Sequence, residues 1–206
     1  MYKLLLLMIL VYSNIIYSQD HNNHSMGSED NNSQKVMMLM HKPMMDQQYQ
    51  QTDSPDVDFL VNMIPHHKGA VLSSEEYLKS GKNETVKKLA MDIITAQQKE
   101  ILEFQQESEK LKTELIKYSK KEASKINKES KKAMDQMMKE MNSIIISGNI
   151  DKDYLMGMLP HHQGAINISQ IILKITTDET IKKIANRIIT DQQKEIADIR
   201  KILADM

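Results

Sequence analysis

The chain of 206 residues contains no cysteine and no tryptophan, and only 4% of its residues are aromatic. Without cysteine, disulfide bonds, thiolate zinc sites and cysteine nucleophiles are excluded. Because aromatic residues are scarce, a core must be built from aliphatic side chains and from the 17 methionines. The formal net charge of −1 offers no electrostatic argument for binding nucleic acid.

One long apolar run lies at the N terminus. Lys3 precedes apolar residues 4–11, and Ser18 offers a small residue for cleavage. This pattern predicts a secretory signal peptide over residues 1–18. An uncleaved anchor is the alternative, but the run is shorter than the ~20 residues of a spanning helix. We therefore expect a periplasmic or secreted protein with no membrane contact after cleavage.

The next segment, residues 19–34, is polar and rich in Asn, Ser, Asp and His, which predicts a disordered arm. Cleavage after Ser18 makes His21 the third residue of the mature chain. A terminal amine, two backbone amides and that imidazole form a square-planar site suited to Cu(II) or Ni(II). A solvated tail without metal is the alternative.

Two copies of one short motif dominate the rest of the chain. Residues 63–70 read Met-Ile-Pro-His-His-Lys-Gly-Ala, and residues 158–165 read Met-Leu-Pro-His-His-Gln-Gly-Ala. Residues three and four apart are neighbours on a helix, so each methionine lies beside both histidines of its copy. Imidazole and thioether donors suit copper, above all Cu(I). The predicted metal ligands are Met63, His66, His67, Met158, His161 and His162.

The proline inside each motif, Pro65 or Pro160, removes a backbone hydrogen bond from a helical pattern. We expect a kink or a loosened turn at each site.

The first motif helix has its own start and stop signals. Ser54 is the predicted N-cap, Pro55 stands in the first turn, and Asp56 lies near the positive helix end. The helix is expected to run to about Lys79 and to stop at residues 80–83, which include Gly81.

Two methionine-rich stretches precede these motifs, and both have helical spacing. Such a stripe is more often core than ligand, because methionine fills irregular gaps. With so few aromatic residues in the chain, both roles stay open. The additional candidate ligands are Met37, Met40, His41, Met44, Met134, Met137, Met138 and Met141.

The chain is duplicated internally. An offset of 95 residues maps Asp58 onto Asp153 and the segment 97–101 onto 192–196, with no gap and with about half of the positions identical. Each unit predicts a helical hairpin, and two hairpins that bury one face each predict an all-α four-helix bundle. The expected boundaries are a first repeat at 35–110, a charged helical connector at 111–133 with a break near 118–130, and a second repeat at 134–206.

The second helix of each hairpin carries a glutamate, Glu100 or Glu195, in the middle of an apolar face. A carboxylate rarely stays buried without a partner. It either accepts a hydrogen bond from a histidine and orients that ring, or binds metal, or pairs with a lysine or a helix end. Gln97 and Gln192 lie at the edge of the same faces and complete the predicted outer shell.

Three features occur together in each repeat: the His-His motif, an acidic and an aromatic residue shortly before it, and a later Ala-x-x-Ile-Ile-x-x-Gln-Gln-x-Glu-Ile segment. Together they resemble the family called domain of unknown function 305. That family includes CopM-like periplasmic copper-binding proteins. The resemblance covers most of residues 55–105 and 150–203. It implies a ferritin-like bundle and copper binding or tolerance. The chain departs from the family at Ser73, Ile168, Phe104 and Ile199, where methionine is usual, and the methionine stripes are candidates for the missing donors.

The leading hypothesis is an exported protein, not an enzyme, that binds Cu(I), with Cu(II) as a second oxidation state. It would sequester the copper or hand it to a copper exporter or another periplasmic copper protein. One alternative is a ferritin-like oxidase with a di-metal site of iron or manganese. Such sites usually carry Glu-x-x-His, which this chain lacks. The other alternative is a structural or interaction bundle with core histidines. The oligomeric state is not predicted.

Overall fold

The computed structural model describes residues 28–113 and 118–206. They form six helices and no strand, which confirms the all-α class. The helices are α1 (Ser28–Asp46), α2 (Pro55–Ser80), α3 (Glu84–Thr113), α4 (Lys120–Asn142), α5 (Ile150–Ile172) and α6 (Glu179–Ala204). None of these helices is both long and apolar enough to cross a membrane. The predicted signal peptide and the candidate ligand His21 lie outside the described residues.

The helices form two three-helix units related by the duplication. In the first unit α2 packs against both α1 and α3, and in the second unit α5 packs against both α4 and α6. The units meet where α2 packs against α5, with α1 also touching α5 and α4 touching α2. The predicted hairpins are α2–α3 and α5–α6, and each gains a third helix that carries a methionine stripe.

The first motif helix begins and ends close to the predicted positions. α2 starts at Pro55 with Asp56 and Asp58 in its first turn, where carboxylates favour the positive helix end. Ser54 occupies the N-cap position but makes no side-chain cap bond, unlike the predicted cap. Both α2 and α5 continue as helices through their internal prolines.

The acidic residue that precedes each motif has a structural role. Thr52 donates from its backbone nitrogen and its hydroxyl to Asp58, at 2.6 and 2.9 Å. Ser147 makes the equivalent bonds to Asp153, at 2.9 and 2.7 Å. Each carboxylate therefore ties the incoming loop to the first turn of its motif helix.

Two predicted boundaries need correction. α1 begins at Ser28, inside the segment 19–34 predicted as a disordered arm, because a helix that buries Ser33 and Val36 extends toward the N terminus. The segment predicted as a charged connector is part of the bundle from Lys120 onward. Its lysines are largely exposed, but Ala123 and Ile126 are buried, so its apolar face packs in the core.

Candidate metal centre

The four motif histidines lie together in the core where α2 crosses α5. All four side chains have no exposed surface. The ring centroids of His66 and His161 are 3.8 Å apart, and those of His66 and His67 are 5.8 Å apart. His162 extends the row from His161 at 6.0 Å. The duplicated motifs thus build one buried row of four imidazoles.

A reciprocal pair of hydrogen bonds joins the two units at the centre of this row. His66 donates from Nε2 to the backbone carbonyl of His161, and His161 donates from Nε2 to the carbonyl of His66, at 3.1 Å in both directions. A carbonyl oxygen only accepts, so the ring proton must lie on Nε2. The lone pair of each neutral imidazole is therefore on Nδ1.

The two glutamates face the outer histidines. His67 donates from Nε2 to Glu100 Oε2 at 2.9 Å. The matching distance from His162 Nε2 to Glu195 Oε2 is 2.7 Å, although the ring and the carboxylate are not aligned for a hydrogen bond. A carboxylate accepts, so the bond to Glu100 places a proton on Nε2 of His67, and the nearby carboxylate of Glu195 favours the same placement in His162. In this tautomer the lone pair of each outer ring lies on Nδ1.

All four Nδ1 atoms are buried and have no hydrogen-bond partner. Nearly all buried polar atoms in folded proteins are paired, so four unpaired nitrogens in one row are unusual. Met63 and Met158, one turn earlier on the same helices, are also buried. Neutral imidazole and thioether are donors that Cu(I) prefers, so the residues present fit a copper ion.

Burial is the main cause that holds the pKa of His66 and of His161 well below the usual value, and the neighbouring histidines lower it further. A low pKa keeps the imidazoles neutral near pH 7, and only the neutral ring binds metal.

Burial raises the pKa of Glu100, but the hydrogen bond from His67 and the guanidinium of Arg187 outweigh burial and lower it overall. Glu100 therefore remains a carboxylate that can orient the ring of His67.

The methionine stripes pack beside the histidines. A Cβ atom on Gly157, one turn before His161, would lie 2.7 Å from the sulfur of Met37. A Cβ atom on Gly164, one turn after His161, would lie 2.4 Å from the sulfur of Met137. These methionines therefore have a packing role, and their role as ligands stays a prediction. Met40, Met134 and Met141 are also buried, whereas Met44 and Met138 are half-buried.

Three other predicted residues have buried polar atoms without hydrogen-bond partners. His41 is buried and its Nε2 has no partner, and burial lowers its pKa. Gln97 and Gln192 are buried with both amide atoms unpaired. Within residues 28–113 and 118–206, no three His, Asp or Glu side chains converge to hold a metal by themselves. The predicted ligand set differs in kind, because it includes thioether sulfur.

Sequence analysis missed Arg187. Its guanidinium reaches from α6 to α3, where Nε lies 3.2 Å from Glu100 and Nη2 lies 2.5 Å from Glu103. The residue at the equivalent place in the first repeat is Asp92, so a comparison of the repeats for opposite charges would have found this position.

The fold and this site define a class: a duplicated all-α bundle with a buried histidine row at the contact between repeats. The chain belongs to the family described as Domain of unknown function (DUF305), whose model matches residues 14–108 and again residues 56–203. The two matches agree with the internal repeat.

Two relatives were found. An uncharacterized protein of Acanthamoeba polyphaga mimivirus is 49% identical over 53 residues, which cover 26% of this chain and 35% of that protein, so the match spans about a third of the relative's length. The crystal structure of a DUF305 fragment from Deinococcus radiodurans resembles this chain with a TM-score of 0.57 and 20% identity, over 74% of this chain and 97% of the fragment. The second likeness supports the fold alone.

Proposed function

We propose that this chain is an exported protein that binds Cu(I), and secondarily Cu(II), at the histidine row and either sequesters it or hands it to a copper exporter or another periplasmic copper protein. The observation that carries the proposal is the set of four buried Nδ1 atoms without hydrogen-bond partners. Two of them belong to His66 and His161, whose pKa burial lowers, so that these rings are neutral near pH 7. The expected ligands are these nitrogens together with the sulfur atoms of Met63 and Met158.

The donor chemistry separates copper from other cations. Ca²⁺ and Mg²⁺ require oxygen ligands. In the part of the chain that the structure describes, the carboxylates in contact with the motif histidines already accept from Nε2 or lie against it. Thioether donors favour Cu(I) over these harder ions. In an exported protein, methionine also avoids the oxidation that would threaten thiols.

The two alternatives have less support. A di-metal oxidase needs free carboxylates, but Glu100 is engaged by His67 and Arg187. A purely structural role for the histidines would favour rings with both nitrogens paired, whereas each of the four rings leaves Nδ1 unpaired. Buried unpaired groups cost free energy, and a bound metal ion would remove that cost.

The test is Cu(I) affinity by competition with a chromophoric chelator, together with metal content after purification. The informative variant replaces His66, His67, His161 and His162 with glutamine, which keeps an N–H donor near the position of Nε2 but removes the Nδ1 lone pair. We expect tight Cu(I) binding in the natural chain and its loss in a variant that keeps its helical circular dichroism. Unchanged affinity would overturn the proposal, retained iron or manganese would favour the oxidase, and absence of all metal would favour a structural bundle.

A further inference from the structure

The two halves of the duplicated site differ in charge. On the first half, Glu100 accepts hydrogen bonds from His67 and from Nε of Arg187. The same guanidinium also spans Glu103, at 3.2 Å from Nη1 and 2.5 Å from Nη2. The positive charge of one arginine therefore offsets the negative charge of Glu100, the carboxylate that orients His67.

The second half has no such compensation. Asp92 holds the place equivalent to Arg187, and it lines the α3–α6 groove together with Asp198, the equivalent of Glu103. Among the described residues, no lysine or arginine forms an ion pair with Glu195, whose one ionic contact is His162. Lys88 and Lys201 also line this groove, and Lys88 pairs with Asp92 at 2.6 Å, but neither lysine forms an ion pair with Glu195. The first half thus has a guanidinium against the carboxylate that faces its outer histidine, and the second half does not.

Asp191 adds a further negative charge near this half, at a position where the first repeat has Ala96. Burial raises the pKa of Asp191, the charges of Glu100 and Glu195 raise it further, and Arg187 and Lys194 lower it by less. Asp191 therefore lies within the electrostatic reach of both carboxylates and of Arg187.

We propose that Arg187 makes the two halves of the site unequal, so that the half built on His162 and Glu195 binds the first Cu(I) ion more tightly than the half built on His67 and Glu100. This inference rests on the proposed copper function. An uncompensated carboxylate beside Nε2 makes an imidazole a better donor at Nδ1 and favours a nearby cation. The guanidinium of Arg187 weakens both advantages in the first half, which becomes the half that exchanges its ion more readily.

The first experiment is a Cu(I) competition titration of the full chain, of Arg187→Gln and of the control Arg200→Gln. Arg200 is an exposed arginine on the same helix. We expect two binding steps in the natural chain that differ on the order of tenfold, the effect of one nearby unit charge. Arg187→Gln should raise the weaker affinity until the steps merge, and Arg200→Gln should leave both steps unchanged.

Single-half variants assign the steps. His162→Gln should remove the tight step, and His67→Gln should remove the weak step. Asp92→Arg places a guanidinium in the groove that Asp198 lines and should weaken the tight step. Circular dichroism confirms that each variant keeps its helices.

Three results would overturn this inference while leaving the proposed function intact. The two binding steps of the natural chain could have equal affinity, or Arg187→Gln could leave both affinities unchanged. The chain could also bind a single copper ion whose binding is lost in His67→Gln and in His162→Gln alike, which indicates one shared site. A natural chain that binds no Cu(I) would overturn the inference and the proposed function together.

Discussion

His66 and His161 each donate a hydrogen bond from Nε2 to the backbone carbonyl of the other, at 3.1 Å in both directions. This reciprocal contact joins the two repeats through residues 95 positions apart. It also fixes the tautomer of both rings, because each carbonyl holds the proton on Nε2. One pair of residues thus couples the assembly of the bundle to the availability of the Nδ1 lone pairs.

The first prediction concerns the stability of the fold as the pH falls. The pKa of His66 and of His161 lies well below 6.5 in the folded chain, mainly because of burial. Below pH ~6.5 the unfolded chain takes up protons at these histidines and the folded chain does not. The free energy of unfolding should therefore fall as the pH drops from 7.5 to 5.5, by up to about 1.4 kcal/mol per pH unit for each histidine. Urea denaturation at both pH values measures it.

The control for this prediction is the double variant His66→Gln and His161→Gln, in which this part of the pH dependence should disappear. Asp56 and Asp58 have pKa values raised by burial, so they take up protons more readily in the folded chain and oppose the histidine effect. The difference between the natural chain and the double variant isolates the histidines. If both chains show the same slope, the two rings do not control acid sensitivity.

A second prediction concerns the carboxylates that face the outer histidines. Glu100→Gln and Glu195→Gln keep the size of the side chain but remove its charge. Loss of an orienting carboxylate typically lowers metal affinity by about 10- to 100-fold, and we expect that range for Cu(I). Glu109→Gln is the matched control, because Glu109 is exposed on α3 and pairs with Lys112. Equal effects of Glu100→Gln and Glu109→Gln on affinity would contradict a role for Glu100 in orienting His67.

Much of this architecture could be predicted from the sequence because it rests on local signals. The 95-residue offset predicted both hairpins, and Pro55 and Gly81 marked the ends of α2 within a residue or two. The glutamate in each apolar face pointed to a buried partner, and the structure places a histidine there.

Other features depend on packing between repeats and left no local signal. The buried face of α4 has only a few apolar residues among many lysines, so its pattern resembles a solvated connector. The contact of His66 with His161 joins backbone and ring atoms of distant residues. The interaction of Arg187 with Glu100 requires α6 to come within side-chain reach of α3, which the periodicity of a single helix does not indicate.

A third prediction separates two glycines that look alike in the sequence. A Cβ atom on Gly69 would lie 2.2 Å from the backbone carbonyl oxygen of Met40, whereas one on Gly164 would first meet the flexible side chain of Met137. Backbone cannot move aside as a thioether can, so Gly69→Ala should cost about 3 kcal/mol and Gly164→Ala about 1 kcal/mol of unfolding free energy. Chemical denaturation of both variants measures the difference. Equal costs would show that α1 moves away from α2 as readily as the side chain of Met137 reorients.

The last prediction distinguishes methionines that bind metal from those that only pack. Leucine has nearly the volume of methionine, so a Met→Leu change in the core usually costs less than about 1.5 kcal/mol but removes the sulfur. Met63→Leu and Met158→Leu should therefore lower Cu(I) affinity with little loss of stability.

Met37→Leu and Met137→Leu are the matched comparisons, because both side chains are buried against glycines of α5. We expect these two variants to bind Cu(I) nearly as well as the natural chain, since their sulfur atoms already fill the space above the glycines. A loss of affinity in the stripe variants that equals the loss in Met63→Leu would instead place the methionine stripes among the ligands.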